Sequence, residues 1–185
     1  MNFLQMLLKR ESCRAYSEQP VDRRELIQIV EAGRLSPSGC NAQPWKFIIV
    51  DQPDSKKLLC DALLIAPGNL TGCPWRNQVP AFIIMIEQPA RLMKMAMDYY
   101  HDTQRFAQGD LGMAAMNMCY AADELGLSTC LIGLNDQQKM EEYFKIPHGR
   151  QVRMVLAVGH AQNPAAEPRA KIRKSFDEVC SFNQW

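Results

Sequence analysis

The chain has 185 residues, of which 47% are hydrophobic and 22% charged, and its 21 basic residues nearly balance its 20 acidic ones. These are the proportions of an ordinary globular protein, so a disordered chain is excluded, and the length suits a single domain over 1–185. A net charge of +1 provides no long-range attraction to nucleic acid or to an anionic membrane, so neither is expected as a partner.

The cysteine pattern indicates a reducing environment. There are seven cysteines and three histidines, with no C-x-x-C pair and no spacing typical of a zinc site. We therefore expect free thiols, no metal and a cytoplasmic location. In the first residues the apolar stretch precedes the basic residues, the reverse of a secretory signal, so none is expected. The uncharged run Leu111–Ala122 is too short to span a bilayer and predicts a buried helix.

The first predicted elements are helices. Residues 2–10 form a short amphipathic pattern, and Asp22 followed by Glu25 predicts a helix start with a capping box. Apolar or small residues then recur at helical spacing and mark the buried face: Leu26, Ile29, Val30 and Gly33. Ser36-Pro37 should end this helix, because a residue before proline avoids the helical region.

Short apolar runs alternate with helical patterns over the rest of the chain. The predicted strands are Phe47–Val50, Ala81–Ile86, Ser128–Ile132 and Val152–Val158. The predicted helices are 54–64 (with Leu58, Leu59 and Ala62 facing inward), a weakly periodic 90–105, Asp110–Leu125 and 136–145. Residues 65–80, rich in Pro, Gly and Asn, predict a long loop, and an extended arm follows Gly159. This order favours a helix-flanked sheet, α+β or α/β, with strand directions undetermined.

The motifs that are absent narrow the chemistry. The sequence has no G-x-G-x-x-G after a strand, no phosphate-binding G-x-x-x-x-G-K-[ST], no H-E-x-x-H and no G-x-S-x-G. If the protein is an enzyme, we therefore expect a bound cofactor to carry the chemistry.

Two segments are candidates for holding such a cofactor. Arg10, Ser12 and Arg14 alternate, so an extended backbone would point two guanidiniums and a hydroxyl to one side, which suits a phosphate. They are equally explained as solvated residues that complement a helix dipole. The segment Ser36–Trp45 combines turn formers with small polar side chains, which suit the edge of a planar ligand. Alternatively it is a tight connection with Trp45 as a core anchor.

Together these segments resemble the nitroreductase family of flavoproteins, which carries an R-x-S-x-R-like element followed by P-S-x-x-N-x-Q-P-W. The chain has Arg10-Glu11-Ser12-Cys13-Arg14 and Pro37-Ser38-Gly39-Cys40-Asn41-Ala42-Gln43-Pro44-Trp45. Three further matches follow in the family's order. Asp110–Asn117 is similar to D-x-G-x-A-x-x-N, Leu125–Cys130 to L-G-L-x-T-x, and Gly159-His160 with Lys171-Ile172-Arg173 to the ending G-Y-P…K-x-R.

The resemblance implies an α+β fold with a central mixed, mostly antiparallel sheet flanked by helices, in an intertwined homodimer with an extended C-terminal arm. It implies non-covalent FMN at the dimer interface. The residues implied for the phosphate are Arg10, Ser12, Arg14, Lys171 and Arg173. Those implied for the flavin, from the other subunit, are Pro37, Ser38, Gly39 and Asn41, with Gln43 a further member. The backbone around Ile132 and Gly133 would meet the N5 edge.

The activity implied is transfer of hydride from NAD(P)H to FMN and reduction of a nitroaromatic, a quinone or another small acceptor, by a ping-pong mechanism without a catalytic side chain. One alternative is a relative performing reductive dehalogenation or flavin fragmentation, in which Asp98–Asp102 would belong to a lid and not to an exposed helix face. Another is a flavin-binding protein without turnover. The loop Asn69–Gln78 departs from the family pattern, and Asn69, Arg76 and Asn77 are its candidates for a flavin contact.

Overall fold

A computed structural model of the chain describes residues 2–63, 73–102 and 104–185. The helices in these residues are α1 (Phe3–Lys9), α2 (Arg23–Arg34), α3 (Pro53–Ala62), α4 (Lys94–Tyr100), α5 (Ala107–Glu124), α6 (Gln137–Phe144) and α7 (Phe176–Val179). The strands are β1 (Trp45–Val50), β2 (Ala81–Glu87), β3 (Ser128–Ile132) and β4 (Val152–Gly159). Two 3₁₀ turns lie at Gly39–Asn41 and Arg76–Gln78.

The four strands form one sheet in the order β1-β2-β4-β3, and every neighbouring pair is antiparallel. A parallel bridge joins Ser12 to Thr129 at the edge strand β3. The predicted α+β class with a mixed, mostly antiparallel sheet is therefore confirmed. The edge strand matters for function, because it fixes the position of the basic segment that follows α1.

The core has two layers because β2 is buried on both faces. Phe82, Ile84 and Ile86 belong to one apolar cluster, whereas Ile83 and Met85 belong to the other. This is the alternation expected of a strand. Burying each such side chain fully contributes about 1.5–3 kcal/mol to folding.

Helices α2 and α5 cover the second face. The predicted capping box is present, since the Asp22 side chain accepts from the Arg24 N–H at 2.8 Å and the Glu25 carboxylate accepts from the Asp22 N–H at 3.0 Å. The predicted face of α2 is buried at Leu26, Ile29 and Gly33 and half-buried at Val30. Helix α5 is a core helix as predicted. Within the described residues no helix is long and apolar enough to cross a membrane.

Three expectations need correction. Leu58 is 41% exposed, whereas Leu59 and Ala62 are buried, because α6 and the turn at Arg76–Gln78 pack against that side of α3. The helix expected over 90–105 covers Lys94–Tyr100 alone, and a left-handed residue at 101 ends it. Within 65–80, residues 73–80 include a helical turn with buried flanks, and residues 65–72 lie outside the described residues.

Candidate functional site

The basic segment Arg10–Arg14 leaves α1 and lies along β3. Its backbone is held by the Cys13 N–H, which donates to the Thr129 carbonyl at 2.9 Å. Arg10 and Ser12 are half-buried and Arg14 is exposed. Because the segment is extended here, alternate residues share a side, as the sequence predicts.

The chain after β4 returns antiparallel along this segment. The Gln162 N–H donates to the Ala15 carbonyl at 3.0 Å. Further on, the Arg169 guanidinium donates to the Ser12 carbonyl at 3.0 Å and the Lys171 ammonium to the Arg10 carbonyl at 2.6 Å. This pairing brings the two ends of the chain together across nearly 160 residues.

The two stretches enclose a cavity of about 980 Å³, at the upper end of the range for small-molecule sites. The predicted residues Arg10, Ser12 and Arg14 line it, and so does Arg169. Arg169 was not among the residues predicted from the sequence. Its signal was present, since positions 169, 171 and 173 are basic and alternate in an extended arm.

Lys171 and Arg173 are placed differently from the expectation. Neither is among the residues that line the cavity. Lys171 is half-buried with its ammonium on the Arg10 carbonyl, and Arg173 is exposed with Nη1 donating to the Ile172 carbonyl at 2.7 Å. The reason is the antiparallel path, in which Lys171 reaches Arg10 at the end of the basic segment and Arg173 passes beyond it.

A second candidate segment, Pro37–Gln43, has a strained backbone. Cys40, Asn41 and Gln43 have φ of 53°, 52° and 47°, a left-handed conformation that costs a non-glycine residue of order 1–3 kcal/mol. The Ser38 hydroxyl accepts from the Gln43 N–H at 2.9 Å, and the Gln43 side-chain amide donates to the Asn41 side-chain oxygen at 3.2 Å. Such strain persists where surrounding contacts hold it, and it clusters at ligand sites.

Helix α5 supplies those contacts from two residues of its family-like motif. The buried Asp110 carboxylate accepts from the Gly39 N–H, with both oxygens at 3.1 and 3.2 Å. The Asn117 amide donates to the Ser36 hydroxyl at 2.7 Å. A Cβ added at Gly39 would lie 3.0 Å from the Cβ of Phe106, so a larger residue here would require Phe106 to shift by a few tenths of an ångström. The motif's role as a platform for the segment was not visible in the sequence.

The predicted N5-edge residues lie at the far end of β3. Ile132 is buried and Gly133 is exposed, and no described atom lies within 4 Å of a Cβ added at Gly133. Glycine also carries no side chain that would keep a ligand away from the backbone. The other end of the same strand carries Thr129, which contacts the basic segment.

The two candidate segments are far apart in one chain. Gly39 contacts Asp110 in the first turn of α5, whereas Asp123 near the other end of α5 lines the cavity. At 1.5 Å per residue these two helix positions are about 20 Å apart. One chain therefore does not place Pro37–Gln43 around the cavity beside Arg10–Arg14.

The remaining candidates from the sequence are three residues of the loop Asn69–Gln78 and the segment Asp98–Asp102. Asn69 lies outside the described residues. The Arg76 guanidinium is engaged by two backbone carbonyls, those of Cys60 at 2.8 Å and Cys73 at 3.1 Å, and Asn77 is exposed. Within Asp98–Asp102, Tyr99 is 77% exposed, as on an open helix face, whereas Tyr100 packs edge-on against Phe106 with ring centroids 5.7 Å apart.

The donor set of the cavity fits a phosphorylated, polyhydroxylated ligand. Arg10 and Arg14 form no ion pair with any described residue, so two guanidiniums are free for an anion. Asp123 has one oxygen 3.4 Å from the Lys9 ammonium and a second, buried oxygen without a partner in the described part of the chain. A ligand hydroxyl would satisfy that orphan acceptor.

The cysteine thiols and the potential metal ligands of the described residues do not form a second reactive site. All seven cysteines are free, and burial raises the pKa of the Cys119 and Cys130 thiols, which keeps them protonated. In the ranges that the structure describes, no group of three His, Cys, Asp or Glu side chains is arranged to hold a metal.

Comparison with known proteins identifies the family of the chain. A sequence profile of the nitroreductase family matches residues 7–69 and 69–160. The chain is 30% identical over 179 residues to an FMN reductase [NAD(P)H] of Bacillus subtilis, covering 90% of this chain and 69% of that protein. It is 28% identical over 195 residues to an oxygen-insensitive NADPH nitroreductase of Helicobacter pylori, covering 92% and 91%.

A solved structure shares the fold over the full length. It is a nitroreductase family protein from Clostridium difficile 630, with a TM-score of 0.80, 21% identity and 100% coverage of both chains. The profile match spans most of this chain. The motif Arg10–Arg14 lies along β3, and the motif Asp110–Asn117 lies on α5, next to Pro37–Trp45. On these grounds the chain belongs to the nitroreductase family.

Proposed function

We propose that the protein is an FMN-dependent oxidoreductase that takes hydride from NAD(P)H and reduces a small acceptor such as a nitroaromatic or a quinone. Membership of the family and the names of the two relatives support this activity. The observation that carries the proposal is the cavity lined by Arg10 and Arg14, two guanidiniums without ion-pair partners in the described residues. When bound, FMN would supply the hydride-accepting and electron-donating chemistry.

The side chains would bind and orient the cofactor and carry out no proton transfer of their own. Arg10, Ser12 and Arg14 would hold the phosphate, and the unpartnered Asp123 oxygen would accept from a cofactor hydroxyl. Lys171 and Arg173 would belong to the tail that closes this end of the site, where Lys171 donates to the Arg10 carbonyl.

The flavin ring would be enclosed by the partner subunit's copy of Pro37–Gln43 and by the backbone at Ile132 and Gly133. The residues of that segment that would contact the flavin are Pro37, Ser38, Gly39, Asn41 and Gln43. Their strained loop is held by α5, so it is preorganised before the cofactor binds.

The homodimer is supported by the distance between the two segments in one chain and by the exposed arm. Every residue after Ala161 is exposed except the half-buried Lys171. The large apolar side chains of this arm are not covered by any described part of the chain: Ile172, Phe176, Val179, Phe182 and Trp185. We infer that 1–185 acts as one domain whose arm packs on a second copy. The free thiols suit a reducing cytoplasm.

A ping-pong mechanism follows if nucleotide and acceptor use the same face of one flavin. The nucleotide must then leave before the acceptor enters, and double-reciprocal plots at several acceptor concentrations are expected to be parallel. Intersecting lines together with a trapped ternary complex would contradict a shared face.

The function is tested by mixing the purified holoprotein anaerobically with NADH and with NADPH, and then with a panel of acceptors. We expect the flavin absorbance to bleach with at least one nucleotide and to return on adding a nitroaromatic or a quinone. Chromatography of the flavin released on denaturation should identify FMN. Bleaching with neither nucleotide would favour a flavin-binding protein without turnover, and reoxidation by an organohalide alone would favour dehalogenation.

A further inference from the structure

An ion pair joins Glu11 of the basic segment Arg10–Arg14 to Arg169, which lies in the tail that follows β4. Arg169 makes three contacts there. Its Nε and its backbone N–H both donate to one Glu11 carboxylate oxygen at 3.1 Å, and its Nη2 donates to the Ser12 carbonyl at 3.0 Å. Glu11 therefore neutralises a guanidinium that lines the same cavity as Arg10 and Arg14.

Two of the four cations that line the cavity are already paired with carboxylates. Four cations and three carboxylates line it: Lys9, Arg10, Arg14 and Arg169, with Glu11, Asp123 and Glu167. Lys9 is paired with Asp123 at 3.4 Å and Arg169 with Glu11. A guanidinium binds a carboxylate and a phosphate with the same fork of donors, so Glu11 occupies donors that a phosphate would use.

We propose that Glu11 is an internal competitor of the cofactor phosphate, which holds Arg169 when the site is empty and lowers the affinity for phosphorylated flavin. The inference rests on the proposed function, in which the phosphate of FMN binds in this cavity. A carboxylate beside a doubly charged phosphate repels it, and the phosphate must displace the carboxylate to use Arg169. Glu11 would thus set how readily the cofactor exchanges.

The charge state of Glu11 agrees with this role. Partial burial alone would raise the pKa of Glu11, but its hydrogen bonds to Arg169 outweigh burial and hold that pKa below the usual value. The carboxylate is therefore ionised at neutral pH and repels a phosphate throughout the physiological range.

The opposite role, in which Glu11 delivers Arg169 to the phosphate, is less well supported by the contacts. The tail has anchors that need no Glu11 charge, namely Lys171 on the Arg10 carbonyl and Gln162 on the Ala15 carbonyl. Glutamine at position 11 would keep an oxygen for the Arg169 N–H donors. Removing the charge should therefore release the guanidinium without detaching the tail.

The test is a titration of full-length protein, stripped of flavin, with FMN and with riboflavin, which lacks the phosphate. Glu11→Gln is expected to bind FMN about fivefold more tightly, the size of one partly exposed charge interaction, with riboflavin affinity unchanged. Glu18→Gln is the matched control, because Glu18 lies between two cavity-lining residues without lining the cavity itself, and it should change neither affinity.

A second variant completes the test. Arg169→Ala should cost more FMN affinity in the Glu11→Gln background than in the wild type, where Glu11 already occupies the guanidinium. Unchanged or weaker FMN binding by Glu11→Gln would overturn the proposal, and so would an equal change for both flavins. If the wild type bound FMN no better than riboflavin, the phosphate site itself would fall, a result distinct from a failure of Glu11 alone.

Discussion

At the scale of single residues, Arg10 and Arg14 have the most specific expected effect. Hydrogen bonds to a charged group contribute about 1.5–3 kcal/mol each, so Arg10→Ala or Arg14→Ala should weaken FMN binding roughly tenfold to a hundredfold. Riboflavin binding should barely change. Titration of the flavin-free protein with both flavins measures this, and Arg24→Ala, on the exposed surface of α2, is a suitable control.

The same titration decides the role of the tail residues. Arg173→Ala should have an effect of that size only if the arm moves in the assembled dimer, because in the single chain Arg173 contacts its neighbour's carbonyl. Equal losses for FMN and riboflavin in any of these variants would indicate a folding defect. No loss for Arg10→Ala and Arg14→Ala would remove the phosphate cluster.

At the scale of elements, two glycines lie where neighbouring elements pack too closely for a larger side chain: Gly159 in β4 and Gly33 in α2. A Cβ added at Gly159 would lie 2.5 Å from Cδ of Pro80 and 2.8 Å from a ring carbon of Tyr16, whereas one at Gly33 would meet the side chain of Met118 at 2.6 Å. The proline and tyrosine rings are rigid, and the methionine side chain can change rotamer.

We therefore expect Gly159→Ala to be the more destabilising of the two substitutions. Overpacking costs about 1–3 kcal/mol, and Gly159→Ala should lie at or above the upper end. Gly33→Ala should lie near the lower end, because alanine also favours the helix. Thermal or urea unfolding of both variants measures the difference, and the reverse order would show that the packing around the end of β4 yields more easily than the packing between α2 and α5.

At the scale of the whole molecule, the exposed face of α5 bears on assembly. A concavity of about 500 Å³ lies along it, lined by Pro37, Gly109, Gly112, Met113, Met116 and Asn117. On the helix these positions recur at three- and four-residue spacing and form one stripe. Next to the candidate flavin segment, such a stripe suits helix packing against a second copy.

We expect light scattering to give twice the chain mass of 21.1 kDa for the holoprotein, with roughly 2,000 Å² or more buried between the copies. Gly112→Leu should weaken the dimer and flavin binding together, since no described atom lies within 4 Å of an added Cβ within one chain and only a partner would be in the way. Gln138→Leu, at an exposed position of α6, serves as the control. A monomer of 21.1 kDa with FMN bound would contradict the shared site.

Local patterns in the sequence predicted the four strands and most of the helices. The capping pair Asp22 and Glu25, the buried face of α2 and the four apolar strands follow from interactions within a few residues of each other, and helical and strand periods are written directly in the side chains. The basic segment and Ser36–Trp45 were found in the same way, and together with three further motifs in the same order they identified the family.

The tertiary structure decided what depends on distant parts of the chain. The strand order β1-β2-β4-β3, the hydrogen bond from Gly39 to Asp110 71 positions away and the pairing of Glu11 with Arg169 leave no trace in local periodicity. They arise because the antiparallel return of the tail and the packing of α5 bring these groups together. The exposure of Leu58 and the displacement of Arg173 have the same cause, since burial is set by which neighbours arrive and a side chain's pattern records only its own element.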